Sequence, residues 1–138
     1  MYLSPTDILT HLNLEIIDEV QDGNTGAIDA AIDAAISEAT GYLSNYDVAT
    51  IFAATGAARN AILLTYVKDI AIWHYIQLAN PNIDMELREK RYNRAIDWLE
   101  AVQAGKIVPP LPPKPATTNN PTPGKIQFGS NAKRNTHY

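Results

Sequence analysis

Residues 57–78 carry apolar side chains on nearly every face of a helix, among them Ile62, Leu63, Leu64, Tyr66, Val67, Ile70, Ile72, Trp73 and Ile76. A helix of that kind is stable only when other elements surround it, so the rest of the chain has to supply its cover. Lys68, Asp69 and His74 interrupt the stretch, which favours a buried helix over a membrane span. At about 1.5 Å per residue it would run roughly 30 Å, and Asn80-Pro81-Asn82 would end it, because proline restricts the residue before it.

The flanking segments read as that cover. Ser4-Pro5-Thr6-Asp7 supplies a serine N-cap, a proline at the first helical position and an acid in the first turn, predicting a short helix through about Leu12. Leu14, Ile16, Ile17 and Val20 follow without a clean period, and Asp22-Gly23-Asn24-Thr25-Gly26 is turn chemistry. Over residues 27–43, Ile28, Ile32, Ile36, Ala39 and Leu43 recur every three or four positions, with Asp29, Asp33 and Ser37 opposite, predicting an amphipathic helix. Its alanines favour helix and permit close approach of a neighbour. Asp47 can cap a further short helix through Ala54, stopped by Thr55-Gly56. Asp84 can cap the last helix, on which Leu87, Tyr92, Ala95, Ile96, Leu99 and Val102 form one stripe before Gly105 ends it. The expected fold is all-α: a small helical bundle of three longer helices plus short helical segments, with a long extended C-terminal arm.

Composition changes abruptly after Gly105. Residues 1–105 hold all 15 acids and six bases, a charge of −9, while residues 106–138 hold Lys106, Lys114, Lys125, Lys133 and Arg134 and no acid, a charge of +5; together these give the formal −4. Seven of the nine prolines also fall in the last segment, from Pro109 to Pro123. The chain therefore divides into a helical body, 1–105, and a proline-rich basic arm, 106–138. The arm has too few large apolar residues for a core of its own and favours polyproline II between Pro109 and Pro115. Fully extended, its reach is on the order of 100 Å at about 3.1 to 3.3 Å per residue. Lys125-Ile126-Gln127-Phe128 alternates as a strand added to a partner's sheet would, making Ile126 and Phe128 candidate anchors.

Little in the sequence points to chemistry. There is no cysteine, which removes disulfides and thiolate chemistry. Residues 1–7 do not read as a signal peptide. His11, His74 and His137 have no metal-ligand spacing, and phosphate-cradling glycine loops and nucleophile motifs are missing, so no catalytic residue, metal or cofactor is expected. His74 reads first as a partly buried structural histidine. Asp29 and Asp33, one helical turn apart, read as a solvated acidic face before a catalytic pair. Arg88, Lys90, Arg91 and Arg94, diluted by Glu86 and Glu89, form the basic concentration of the body and suit ion pairs or an acidic neighbour better than DNA. The aromatic residues Tyr66, Trp73, Tyr75, Tyr92 and Trp98 read as packing rather than a base-stacking surface.

Four segments in order carry a family likeness: Tyr2-Leu3-Ser4-Pro5-Thr6-Asp7; Ala35 through Tyr42-Leu43 with Tyr46-Asp47; Lys68-Asp69-Ile70-Ala71-Ile72-Trp73-His74-Tyr75; and Arg91-Tyr92-Asn93-Arg94-Ala95-Ile96-Asp97-Trp98-Leu99. Over about residues 2–108 the chain resembles the small helical neck or head-tail connector proteins of Mu-like and related tailed phages and prophages. It departs from them at Asn45 and Gln77, where members often carry arginine, and the proline-rich arm lies outside the shared part. The resemblance implies a non-enzymatic structural head-to-tail adaptor of the virion neck, made in the bacterial host cytoplasm and assembled as a homo-oligomeric ring, a 12-mer matching the portal. Its partners would be the portal protein and the tail or a stopper protein, with no membrane, and with DNA met only by passage through the channel. A tail-completion or stopper protein, or a DNA-contacting module of the neck channel, are the alternatives. Within this picture each arm leaves its own body and binds the portal or a neighbouring subunit through Lys125, Ile126, Phe128, Lys133 and Arg134. Arg88, Arg91, Arg94, Asp29 and Asp33 are candidates for a face between subunits.

Overall fold

The computed structural model describes residues 1–12, 25–79 and 84–116. Within these, five α-helices succeed one another: α1 Pro5–Leu9, α2 Thr25–Tyr42, α3 Val48–Ala53, α4 Ala61–Ala79 and α5 Met85–Gln103, with a single 3-10 turn, Gly56–Ala58, before α4. The fold is all-α, with three long helices. Of the turn expected over Asp22–Gly26, Thr25 and Gly26 already belong to α2; its other residues, the stop at 80–82 and the arm residues Lys125, Ile126, Phe128, Lys133 and Arg134 lie outside the described residues.

α4 is the central element. It packs on α2, α5 and α1 and buries Leu63, Val67, Ile70, Ala71, Ile72, Tyr75 and Ile76 on more than one face, as its near-continuous apolar sequence requires. α2 meets it through Ile28, Ala31, Ile32, Ala35 and Ala39, with Leu43 buried just past its end. Three of these are alanines, so the two backbones can come close. α5 adds Ala95, Leu99 and Val102. Leu87, expected on that stripe, is 44% exposed, because no described element covers the first turns of α5. Among the described residues no helix is long and apolar enough to cross a membrane.

Local capping sets most of the boundaries. Ser4 and Asp7 form a reciprocal box: Asp7 N–H donates to Ser4 Oγ (3.3 Å) and Ser4 N–H to Asp7 Oδ2 (3.0 Å), satisfying two otherwise free amides. α1 is shorter than expected. The Thr10 hydroxyl takes the Asp7 carbonyl (2.7 Å) and His11 N–H turns to the Ile8 carbonyl (2.9 Å), so residues 10–12 form a turn. Asp47 caps α3, accepting from Thr50 N–H and Oγ1–H, and Asp84 caps α5 by accepting from Leu87 N–H. The central helix begins at Ala61 rather than 57. Gly56 adopts φ +56°, a conformation that favours glycine, and Asn60 accepts from Leu63 N–H (3.0 Å) as the actual N-cap.

The end of α5 is a Schellman motif. Gly105, at φ +73°, donates to the Val102 carbonyl and Lys106 to that of Ala101 (3.1 and 2.9 Å), which satisfies the last carbonyls. From here the chain does not depart from the body. Pro109 is buried and Leu111 packs against the core. Asp47 N–H donates to the Pro112 carbonyl (2.9 Å) and Lys114 N–H to that of Asn45 (3.3 Å), giving one antiparallel bridge between Tyr46 and Pro113. The first residues of the arm are thus a strap on their own body, a correction to an arm that leaves at residue 106. Prolines lack a donor but keep a carbonyl and an apolar ring, which is enough for this contact.

Candidate functional site

Three polar constellations interrupt the apolar packing. The first closes the N-terminus. Arg59, held by its Nε–H to the Gly56 carbonyl (3.1 Å), donates through Nη1 to the Tyr2 carbonyl (2.8 Å) and to Asp7 Oδ2 (2.9 Å), and through Nη2 to Asp7 Oδ1 (3.4 Å). The side chains of Arg59 and Asp7 are 16% and 22% exposed, so this fork-like pair is only partly screened. The hydrogen bond from Arg59 holds the Asp7 carboxyl well below the usual carboxylate range, helped by Ser4 and opposed by burial. Tyr2, buried against Phe52 in an edge-to-face pair (5.0 Å), has its hydroxyl pushed up to about 12 by burial.

The second constellation joins the long helices. Glu38 of α2 accepts from Tyr92 of α5 (2.7 Å) and pairs with His74 Nε2 of α4 (2.7 Å). Tyr92 stacks on Trp73 at 5.5 Å, and burial, followed by the Glu38 contact, pushes its hydroxyl up to about 12. Both Glu38 oxygens are engaged within the protein. The arrangement fixes the rotation of three helices relative to one another.

The third lies where α4 and α5 face the end of the N-terminal segment. Asp69 is buried, and among the described residues neither its Oδ1 nor Nη1 of Arg88 has a hydrogen-bond partner. Burial raises the Asp69 carboxyl, while His11, Arg91, Arg88 and Arg94 draw it down. Arg88 does not project freely: its Nη2 donates to the His11 carbonyl (3.3 Å). Lys68, also buried, donates to Thr10 Oγ1 (3.2 Å). Burial lowers the His11 imidazole; Asp69 opposes this, while Lys68, Arg91 and Arg88 add to it. Beside these groups runs an open hollow of about 560 Å³ bordered by His11, Ala61, Ile62, Thr65, Tyr66, Asp69, Arg91 and Arg94. A second hollow of about 410 Å³, bordered by Leu87, Lys90, Arg91 and Arg94, adjoins it through the two shared arginines.

Of the residues singled out in the sequence, Arg91 and Arg94 border both hollows and are exposed, whereas Arg88 is a half-buried tie to the His11 carbonyl. Asp29 and Asp33 stand exposed on α2, and among the described residues neither forms an ion pair with the arginines. Asp69, Lys68 and His11 were not expected at a site; their signal was the pair of charges inside an otherwise apolar helix. Among the described residues no group of three or more His, Asp or Glu is placed to hold a metal ion.

These features define a small all-α protein built on three long helices, with a strapped C-terminal segment and a basic groove on one side. The chain belongs to the family described as Bacteriophage Mu, Gp36, whose model matches residues 2–128; it is a Mu-like phage protein. The match runs beyond residue 108, where the sequence likeness was expected to stop, and takes in most of the proline-rich arm through Phe128. No curated protein and no solved structure is significantly similar to the chain.

Proposed function

We propose that the protein is a structural head-to-tail adaptor of a tailed phage, a ring-forming component of the virion neck seated beneath the portal and joining capsid to tail. The observation that carries this reading is the family match across both body and arm, residues 2–128. A shared body alone would speak for a shared fold; a match that includes a proline-rich, acid-free extension speaks for a shared way of using it.

The fold adds a mechanism. The strap fixes the arm's point of departure beside Asn45 and Asp47, so the portion available to a partner starts near Lys114. Fully extended, the remaining 25 residues (114 to 138) would reach about 80 Å at about 3.2 Å per residue, enough to cross a neighbouring subunit. Lys125, Lys133 and Arg134 would pair with acids on the portal or an adjacent copy while Ile126 and Phe128 dock as a short added strand. Ordering such a segment costs conformational entropy that a long interface offsets.

The test is portal binding by a chain lacking residues 117–138, which keeps Pro109, Leu111 and the Pro112 contact in place. The truncated protein should retain its helical content and lose most of its affinity for the portal. Undiminished binding would remove the arm from the mechanism, and a gel shift with DNA that disappears on truncation would favour a channel-facing DNA contact instead.

A further inference from the structure

We infer that the groove along α4 and α5 receives the outer face of α2 from a second copy of this chain. The inference deepens the ring reading above, but it concerns a surface separate from the arm.

Among the described residues the groove is left open. Two hollows of about 560 and 410 Å³ meet at Arg91 and Arg94, and each has a large apolar residue on its border, Ile62 (57% exposed) and Leu87 (44% exposed). Lys90 adds a third cation, paired with Glu86 on its own helix. A complementary surface must therefore bring carboxylates together with little side-chain bulk, so that a helix can lie close to the cations and apolar border.

The outward face of α2 meets both conditions. Gly26, Asp29, Ala30, Asp33, Ser37 and Gly41 recur at three- and four-residue intervals and are all exposed. At Gly41 even an added Cβ would meet nothing within 4 Å. Asp29 and Asp33 are one turn apart, matching the spacing of about one turn between Arg91 and Arg94. The opposite face of the same helix is committed to α4 through Ile28, Ala31, Ile32 and Ala35, so the acidic stripe points away from the body. Nucleic acid fits the groove less well, since Asp69 borders it and the body carries an excess of nine acids over bases. Stripe and groove belong to different helices, so the contact is heterologous: each copy offers one surface and accepts with the other. Contacts of that kind close into rings or run on into filaments.

The experiment is sedimentation velocity and native mass spectrometry on the full chain, with two charge-reversed variants, Arg91→Glu with Arg94→Glu, and Asp29→Lys with Asp33→Lys. All four positions are exposed, and circular dichroism verifies the fold. The wild type should self-associate at submillimolar concentration in low salt, weakening about tenfold or more as salt screens the charges. Each variant alone should sediment as a monomer. A mixture of the two should associate again, because the reversed groove of one matches the reversed stripe of the other. Ala30→Trp, which adds bulk to the stripe without touching the core, should also block association. Wild-type protein that stays monomeric, variants that associate like wild type, or a mixture that remains monomeric would overturn the inference. None of these outcomes bears on portal binding by the arm.

Discussion

The Asp7–Arg59 clamp and the Asp69–Arg88 corner use the same two residue types, the first partly exposed and the second built on a buried carboxylate, and end differently. At the clamp both carboxylate oxygens accept from the guanidinium, which also donates to the Tyr2 and Gly56 carbonyls. At the corner Asp69 Oδ1 and Arg88 Nη1 have no partner among the described residues, although each lies within the other's electrostatic reach. Ionic groups removed from water contribute to stability only when geometry and hydrogen bonds repay their desolvation. The first site is organised to hold the fold. The second carries a cost that the body's own packing does not remove, and it lies at the groove assigned to a second copy.

The largest expected effect separates the two directly. Arg59→Ala strands Asp7 and the Tyr2 carbonyl, and should destabilise the protein by about 3 kcal/mol, a loss somewhat below that of a fully buried pair. At about 4 °C per kcal/mol for a domain of this size, thermal unfolding should move down by roughly 10 °C. A shift of only a degree or two would mean that the clamp is no more than a surface ion pair.

A smaller effect is expected at the three-helix tie. Tyr92→Phe removes one donor from Glu38 while keeping the ring on Trp73, and should cost about 1 kcal/mol by chemical denaturation. The midpoint should move with little change in denaturant dependence, because the core remains closed.

The smallest effect, and the one with the opposite sign, concerns Asp69. Its carboxyl is raised on folding, so the folded state holds that proton more tightly and the Asp69 contribution to stability falls as pH rises through its range. Asp7 is depressed, so its contribution is complete above the unfolded value of 3.8 and is lost as pH falls below it. Asp69→Asn should therefore leave stability at pH 7 unchanged or improve it by up to about 1 kcal/mol, and should remove the decline that sets in as pH rises above the ordinary value of 3.8. Asp7→Asn should lower stability at neutral pH and flatten the loss in strong acid. Stability curves against pH for the two variants that coincide would erase the distinction between clamp and corner.

How much of this was readable in the chain follows from the range of each interaction. The caps at Ser4, Asp47 and Asp84 and the stop at Gly105 act across three or four residues, and their signals stand in the local sequence. The apolar excess of 57–78 required a central helix, and α4 is one. Its start was misplaced because Ala57 and Ala58 are good helix formers, while the Asn60 cap wins only once Gly56 has turned the chain. Arg59 gave no sign of its partners, which lie 52 and 57 positions away. Lys68 and Asp69 were visible only as interruptions, since their partners Thr10 and His11 come from another segment. The strap at Pro109 and Leu111 was hidden by composition: prolines suggested an extended arm, and nothing local announced that the Pro112 carbonyl would receive the Asp47 amide. Arg88 stood with Arg91 and Arg94 in the sequence as one basic cluster, and its reach to the His11 carbonyl, 77 positions away, had no local signal.

The most direct test of the adaptor reading is a cryo-electron-microscopy map of the assembled phage neck at side-chain resolution. The account predicts copies of this chain in a ring between portal and tail, α2 of each copy against Arg91 and Arg94 of the next, and the chain beyond Lys114 lying on the portal or an adjacent subunit. A neck without this chain, or one holding it as isolated copies with no ring, would contradict it.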